Sequence, residues 1–230
     1  MNIAIILAAG LSTRFNSKIS KQLFKIDNKH IIQYSINAFL LKKISKIIIV
    51  TNTKCYYHIY RIIIKYYQKQ PIKIIINDYN CRLESIQKAL NYLNNYHHQS
   101  IKNIIIHDSA RPFITRKHIK LLLTTQQTNK MLYTQYFMKL TNGLARYTPE
   151  QHIEFVDRDK YIEICTPLCI DYQLCNKILN DTEYKDKNGN RLYQEFIPIM
   201  NILNLQSKYI LIEGHYSFLR KITTLNDVTI

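Results

Sequence analysis

Glycine is nearly missing from this chain. Four occur in 230 residues, and none stands in a G-x-G-x-x-G, a Walker lysine loop or a G-x-S-x-G elbow. Those absences remove the commonest dinucleotide, P-loop and serine-hydrolase readings. No apolar run approaches the roughly 18 residues of a membrane span. The start has no basic segment followed by an apolar core and cleavage site, so no export signal is read and a cytoplasmic location follows. The five cysteines, Cys55, Cys81, Cys165, Cys169 and Cys175, are odd in number and form no C-x-x-C pair. A disulfide framework or structural zinc is thereby disfavoured, leaving reduced, partly buried thiols. No low-complexity tract appears, and 47% apolar residues suffice for a folded core.

Acidic residues are also few: 16 against 32 lysines and arginines, a formal charge of +16. A nucleic-acid partner would fit that balance. The lysines are scattered, however, and Ile, Asn, Lys and Tyr share AT-rich codons. The excess therefore reads as base composition of the gene, with recruitment of anionic substrates as its physical consequence, and a nucleic acid is not expected as partner.

What is present is an alternation of strands and helices. Apolar, β-branched runs lie at 3–7, 46–51, 72–76 and 101–106, separated or followed by helical candidates at 31–41, 56–68, 83–93 and 116–125. Such alternation predicts an α/β fold with a doubly wound, mostly parallel sheet. The pattern breaks near Met131. Residues 138–156 read as a hairpin or extended arm, 171–179 and 195–203 as helices, and 209–213 and 219–223 as strand-like. Polar residues 185–191 carry the turn signal Asn188-Gly189. No linker divides the chain, so 1–230 is read as one domain.

Chemistry concentrates after the strands. Ala8, Ala9 and Gly10 follow the first, where missing side-chain bulk lets backbone approach a ligand. Arg14 and Lys21 then supply cations at the carboxyl edge, where open α/β sheets bind ligands. An anionic, phosphorylated ligand is expected across this loop. His107-Asp108 follows another strand on the same edge. Asp108 is placed to hold a Mg²⁺ ion bridging phosphates; a salt bridge to Arg111 is the plainer alternative. Arg82 and Ser85 open a helix, where Ser85 could simply cap it. His97-His98 sits on a polar segment and is read as exposed.

These pieces resemble the cytidylyltransferases that make CDP-linked polyols, acting on 2-C-methyl-D-erythritol 4-phosphate or ribitol 5-phosphate. The resemblance rests on Leu7-Ala8-Ala9-Gly10, Arg14, Lys21-Gln22, Arg82 with Ser85, and His107 to Pro112. Val156-Asp157-Arg158, Thr166-Pro167 and Lys221-Ile222-Thr223 complete it. It implies a Rossmann-like single nucleotidyltransferase domain with a projecting β-arm, 138–156, that grips a second subunit. By the same resemblance Arg14, Lys21 and Lys221 are catalytic, and Ala8, Ala9, Gly10, Arg82 and Ser85 bind CTP. Arg111, Arg158 and Thr166 face the polyol phosphate, Arg158 across a homodimer interface, and Asp108 binds Mg²⁺. Departures are visible: the arm has Lys139, Leu140 and Thr141 in place of an Asp-Thr pair that would reach the substrate, and two more concern nucleotide and metal. Asp78-Tyr79 stand where relatives carry a glycine pair near cytosine. Gln194 stands where they carry a second metal-binding carboxylate, with Glu195 beside it as a substitute.

Methylerythritol phosphate is the expected acceptor, on Ala110 in the His-Asp motif, with ribitol 5-phosphate as the alternative. A diverged homologue that binds nucleotide without turnover is a second possibility.

Overall fold

The structure, a computed structural model, describes residues 1–15, 17, 19–78, 81–96, 100–148, 152–181 and 195–228. The readings placed on Tyr79, His97-His98, 185–191 and Gln194 lie outside the described residues.

The amino-terminal half alternates as its apolar runs dictate. Strands β1 (Asn2–Ala8), β4 (Ile44–Thr51), β5 (Ile72–Ile76) and β6 (Asn103–Asp108) are joined through helices α1 (Ile31–Phe39), α2 (Thr53–Tyr66) and α3 (Arg82–Tyr96). A short ladder, β2 (Lys25–Ile26) with β3 (Lys29–His30), fills the turn before α1, and α4 (Arg116–Thr128) follows β6. Ile5, Ile6, Ile48, Ile49, Ile105 and Ile106 are fully buried, as expected of strands covered on both faces.

Two strands run through the region where the alternation was read as broken. These are β7 (Tyr133–Lys139) and β10 (Ile162–Asp171). Between them β8 (Leu144–Tyr147) and β9 (Ile153–Val156) form a separate antiparallel hairpin. Helices α5 (Tyr172–Asn180) and α6 (Phe196–Ile202) follow, then β11 (Tyr209–Glu213) and α7 (Tyr216–Leu219). The seven-stranded sheet has the order β11-β7-β10-β6-β1-β4-β5. Only β10 opposes its neighbours, pairing antiparallel with both β6 and β7. The sheet is therefore mostly parallel, as the alternation implies.

Two apolar clusters sandwich the sheet. One gathers Ile36, Phe39, Ile59, Ile63, Ile119 and Leu122 from α1, α2 and α4. The other gathers Leu83, Ile86, Leu90, Ile178, Phe196 and Met200 from α3, α5 and α6. Helices on both faces leave the carboxyl edge of the parallel strands open, which is where the ligand-binding loops must gather.

The strand-like reading of 219–223 needs correction. Leu219 ends α7, and residues 220–223 have no regular structure. Leu219 and Ile222 are both fully buried, but in different clusters. Their apolarity reflects two separate anchoring points rather than one strand face. Among the described residues no helix is long and apolar enough to cross a membrane, and all five cysteines are free.

Candidate active site

Chain segments far apart in sequence meet in one cavity of about 350 Å³ at the carboxyl edge of the sheet. Ala8, Ala9 and Gly10 leave β1 and form its floor. A Cβ on Gly10 would meet no atom within 4 Å. Packing therefore does not demand the glycine; its absent side chain leaves the floor bare for a ligand.

Buried amides hold that floor. Gln22, 3% exposed, donates from Nε2 to the Ala8 carbonyl at 2.8 Å. Ser12 bridges the loop to the next turn: its Oγ donates to Gln22 Oε1 at 3.3 Å and accepts from the Lys21 amide at 3.2 Å. Asn52, just past β4, donates to the Ala9 carbonyl at 3.0 Å and accepts from the Cys55 amide to cap α2. Sequence reading quoted Gln22 without a role and passed over Ser12, Asn52 and Asn77. For Asn52 and Asn77 the available signal was a polar residue close behind a strand run, for such a group is buried only with its hydrogen bonds made; Ser12 and Gln22 carry no such signal.

Asp108 ends β6 on one wall. Its backbone amide donates to Thr166 Oγ1 at 3.1 Å. Its carboxylate faces Lys221 Nζ at 2.9 Å and Arg82 Nε at 3.6 Å. Arg82 reaches onward, its Nη1 standing 3.2 Å from Glu195 Oε2. Asp108 is thus not the partner of Arg111, as the plainer reading had it. Burial disfavours the Asp108 charge, but Arg82 and Lys221 outweigh it and hold the carboxyl well below its usual range. Lys21 stands nearby, where burial and the Lys221 ammonium lower its pKa to about 8. Among the described lining residues, Lys21, Arg82 and Lys221 against Asp108, with Glu195 beyond Arg82, give this wall an excess of positive charge.

Lys221 is brought here by its neighbour. The Ile222 amide donates to the Ala110 carbonyl at 2.8 Å, and the Ile222 side chain is fully buried with Phe15, Ile26 and Ile31. Ser85 also lines the cavity, accepting from Asn77 Nδ2 at 2.8 Å and donating to the Cys81 carbonyl at 3.1 Å. It lies within the first turn of α3 and does not cap it. Asp78 turns away from the cavity: both carboxylate oxygens are taken by Thr53, through its amide at 2.8 Å and its hydroxyl at 2.7 Å. That position serves the start of α2.

The cavity brings together Ala8, Ala9, Gly10, Lys21, Arg82, Ser85, Asp108 and Lys221. Thr166 is buried behind Asp108. Four expected residues, Thr166 among them, are not part of its lining. Arg14 is exposed in the turn Thr13–Phe15. Arg111 is 5% exposed and donates to the Leu219 carbonyl and toward Glu163. Arg158 lies at the base of the arm, bonded to the Thr141 carbonyl.

The family model for 2-C-methyl-D-erythritol 4-phosphate cytidylyltransferase matches residues 2–230. The chain belongs to this family. A Clostridium botulinum member is 30% identical over 99% of this chain and 94% of that protein. One from Thermotoga neapolitana is 27% identical over 77% of this chain and 76% of its own. Among solved structures, 4-diphosphocytidyl-2C-methyl-D-erythritol synthase from Anaerococcus prevotii superposes with a TM-score of 0.75 at 20% identity, covering 99% of this chain and 92% of that one. The corresponding cytidylyltransferase from Thermus thermophilus gives 0.73 at 16% identity over 99% and 96%. Both share the fold. The chain is thus a cytidylyltransferase-family member, a nucleotidyltransferase, and its cationic cavity suits a nucleoside triphosphate.

Proposed function

We propose that this cytidylyltransferase joins CTP to 2-C-methyl-D-erythritol 4-phosphate, giving the CDP-linked polyol and pyrophosphate. The observation that carries the reading is the convergence of Lys21, Arg82 and Lys221 on Asp108 beneath the bare Ala8–Gly10 loop. In the reaction an acceptor phosphate oxygen forms a bond to the α-phosphorus of CTP. The bond from that phosphorus to the β-phosphate bridging oxygen breaks, and its electron pair leaves with pyrophosphate. Such chemistry is driven by positioning and charge neutralisation rather than by proton transfer. Lys21 and Lys221 neutralise the crowded phosphates, and Arg14, exposed in its turn outside the lining, would have to swing in to join them. Arg82 and the loop amides hold the nucleotide, and Ser85 with Asn77 receives the base.

A Mg²⁺ ion would add further neutralisation of the triphosphate. The donor set suits it: Asp108 is ionised and opens on the cavity. Mg²⁺ commonly takes one or two carboxylates and completes its shell from phosphates and water. Among the described residues no group of three or more His, Cys, Asp or Glu converges, so Asp108 would hold it, with Glu195 beyond Arg82.

The acceptor lies toward Thr166 and the arm. Arg111 reaches it only by releasing Leu219 or Glu163. Arg158 serves the partner subunit's cavity. The arm carries the reason for a partner: Ala145, Tyr147, Ile153 and Phe155 share one face of the hairpin by register. Tyr147, Ile153 and Phe155 are 68%, 63% and 85% exposed. An apolar face of that kind calls for cover, and a second copy supplies it symmetrically.

The test is pyrophosphate release from CTP and Mg²⁺ with methylerythritol 4-phosphate and ribitol 5-phosphate offered separately. Release with the first alone is expected. Release with ribitol 5-phosphate alone moves the assignment to the alternative acceptor. Silence with both, on protein that still binds CTP, leaves a nucleotide-binding homologue without turnover.

A further inference from the structure

A second cavity, of about 800 Å³, lies behind the Lys21 turn. Leu23, Phe24 and Ile62 give it an apolar floor. Lys25, Lys54 and Arg61 stand around it as exposed cations, with the imidazoles of His30 and His58 beside them. Among the described residues no carboxylate lines it, and none of the three cations has an ion-pair partner. The Tyr57 ring lies 5.8 Å from the Arg61 guanidinium and steadies it.

The chemistry of these walls selects a ligand class. An inorganic anion would engage the cations and leave the apolar floor wet. A neutral hydrocarbon would fill the floor and leave the cations unused. A molecule with an anionic head on an aliphatic body satisfies both. The volume lies within the range of small-molecule sites.

The two cavities are back to back. In the single turn Lys21–Leu23 and its flanks, Lys21 and Gln22 face the first cavity, whereas Ser20, Leu23 and Phe24 face the second. Gln22 Nε2, which holds the Ala8 carbonyl, also touches Cys55 Sγ on α2 at 3.3 Å, next to Lys54. We propose that the second cavity binds an amphiphilic anion, a phosphate or carboxylate on a short aliphatic body, and that its occupancy is felt at Lys21 through the shared turn. The coupling rests on the assignment of Lys21 to CTP; the binding does not.

The probe is hexyl phosphate, titrated calorimetrically into the full chain beside hexanoate, hexanol and inorganic phosphate. Hexyl phosphate should bind at least about tenfold more tightly than hexanol or inorganic phosphate. Hexanoate binding equally well would identify any anionic head as sufficient. The double variant Lys54→Glu with Arg61→Glu should lose this binding, as should the milder Lys54→Gln with Arg61→Gln. Both should keep CTP affinity. Saturating hexyl phosphate should change CTP affinity about fivefold or more in the parent and not in the variants. Binding no tighter than inorganic phosphate, or binding kept in both variants, overturns the site; the latter would place the probe in the first cavity. Hexyl phosphate that binds without changing CTP affinity overturns the coupling. A protein that binds hexyl phosphate and ignores CTP faults the proposed function and leaves this site standing.

Discussion

Lys221 donates from Nζ to Asp108 Oδ2 at 2.9 Å, although 113 positions separate them. Arg82 completes the arrangement from a third segment, with Nε 3.6 Å from Asp108 Oδ1. These groups offset one another before any ligand arrives, and a triphosphate would draw the cations toward itself while freeing the carboxylate. Asp108→Asn and Lys221→Ala should each lower turnover about 100-fold or more. Because the two side chains touch, the double variant should lose less than the product of the single losses. Steady-state kinetics on the four proteins of that cycle checks this, and strictly multiplicative losses would show that the pair does not act together.

Ile222 should matter to turnover through Lys221. Truncating a fully buried isoleucine costs about 2 kcal/mol or more of stability and loosens the Ala110 anchor. Ile222→Ala is therefore expected to lower kcat well below the parent's at a temperature where both are folded. Ile222→Val should restore most of it. An unchanged kcat in folded Ile222→Ala would show that the Ala110 hydrogen bond suffices to place Lys221.

Lys21 should set the alkaline limb of activity. If Lys21 neutralises phosphate as proposed, its charged form is the working form; burial with Lys221 lowers its pKa from 10.5 to about 8. As pH rises through about 8 the ammonium is lost, so kcat/KM should fall in a one-proton step. Lys21→Arg, whatever its residual rate, should move that limb upward because a guanidinium stays protonated. A limb left in place by Lys21→Arg would assign it to another group.

His107 should make the fold acid-sensitive. It is fully buried, its Nε2 bonded to the Arg111 carbonyl, and burial lowers its pKa from 6.5 to about 4. Below pH 6.5 the unfolded chain takes up a proton that the folded chain refuses until about pH 4. This group therefore costs stability progressively between those values, on the order of 3 kcal/mol in all. Urea midpoints measured from pH 7 to pH 4 should fall less steeply in His107→Phe than in the parent. Equal slopes would remove His107 from the account.

The arm should decide the assembly. Phe155 is 85% exposed on the apolar face of the hairpin. Phe155→Asp should give a monomer by sedimentation, with CTP affinity kept and the acceptor KM raised if the partner's Arg158 serves the site. A parent protein that is itself monomeric would end the dimer proposal.

The sequence by itself determined the parallel half of the sheet and the two motifs at its edge. An unbroken run such as Ile104–Ile106 has few uses other than a strand buried on both faces, and whatever follows it must stand at the carboxyl edge. Residues such as Ala8 and Asp108 were legible for that reason. It was less informative about β7 and β10, where Tyr133, Thr134, Gln135 and Thr166 interrupt the apolar signal. Those polar groups are buried; the Tyr133 hydroxyl donates to Gln135 Oε1 of the same strand, and only tertiary structure brings the Asp108 amide to Thr166 Oγ1. Tertiary structure alone decided that Asp108 pairs with Lys221 and Arg82 rather than with Arg111, three residues away. Local spacing cannot reveal that Arg111 is drawn to the Leu219 carbonyl. Nor can it reveal that Ile222, buried in a third small cluster, carries Lys221 across the molecule to the end of β6.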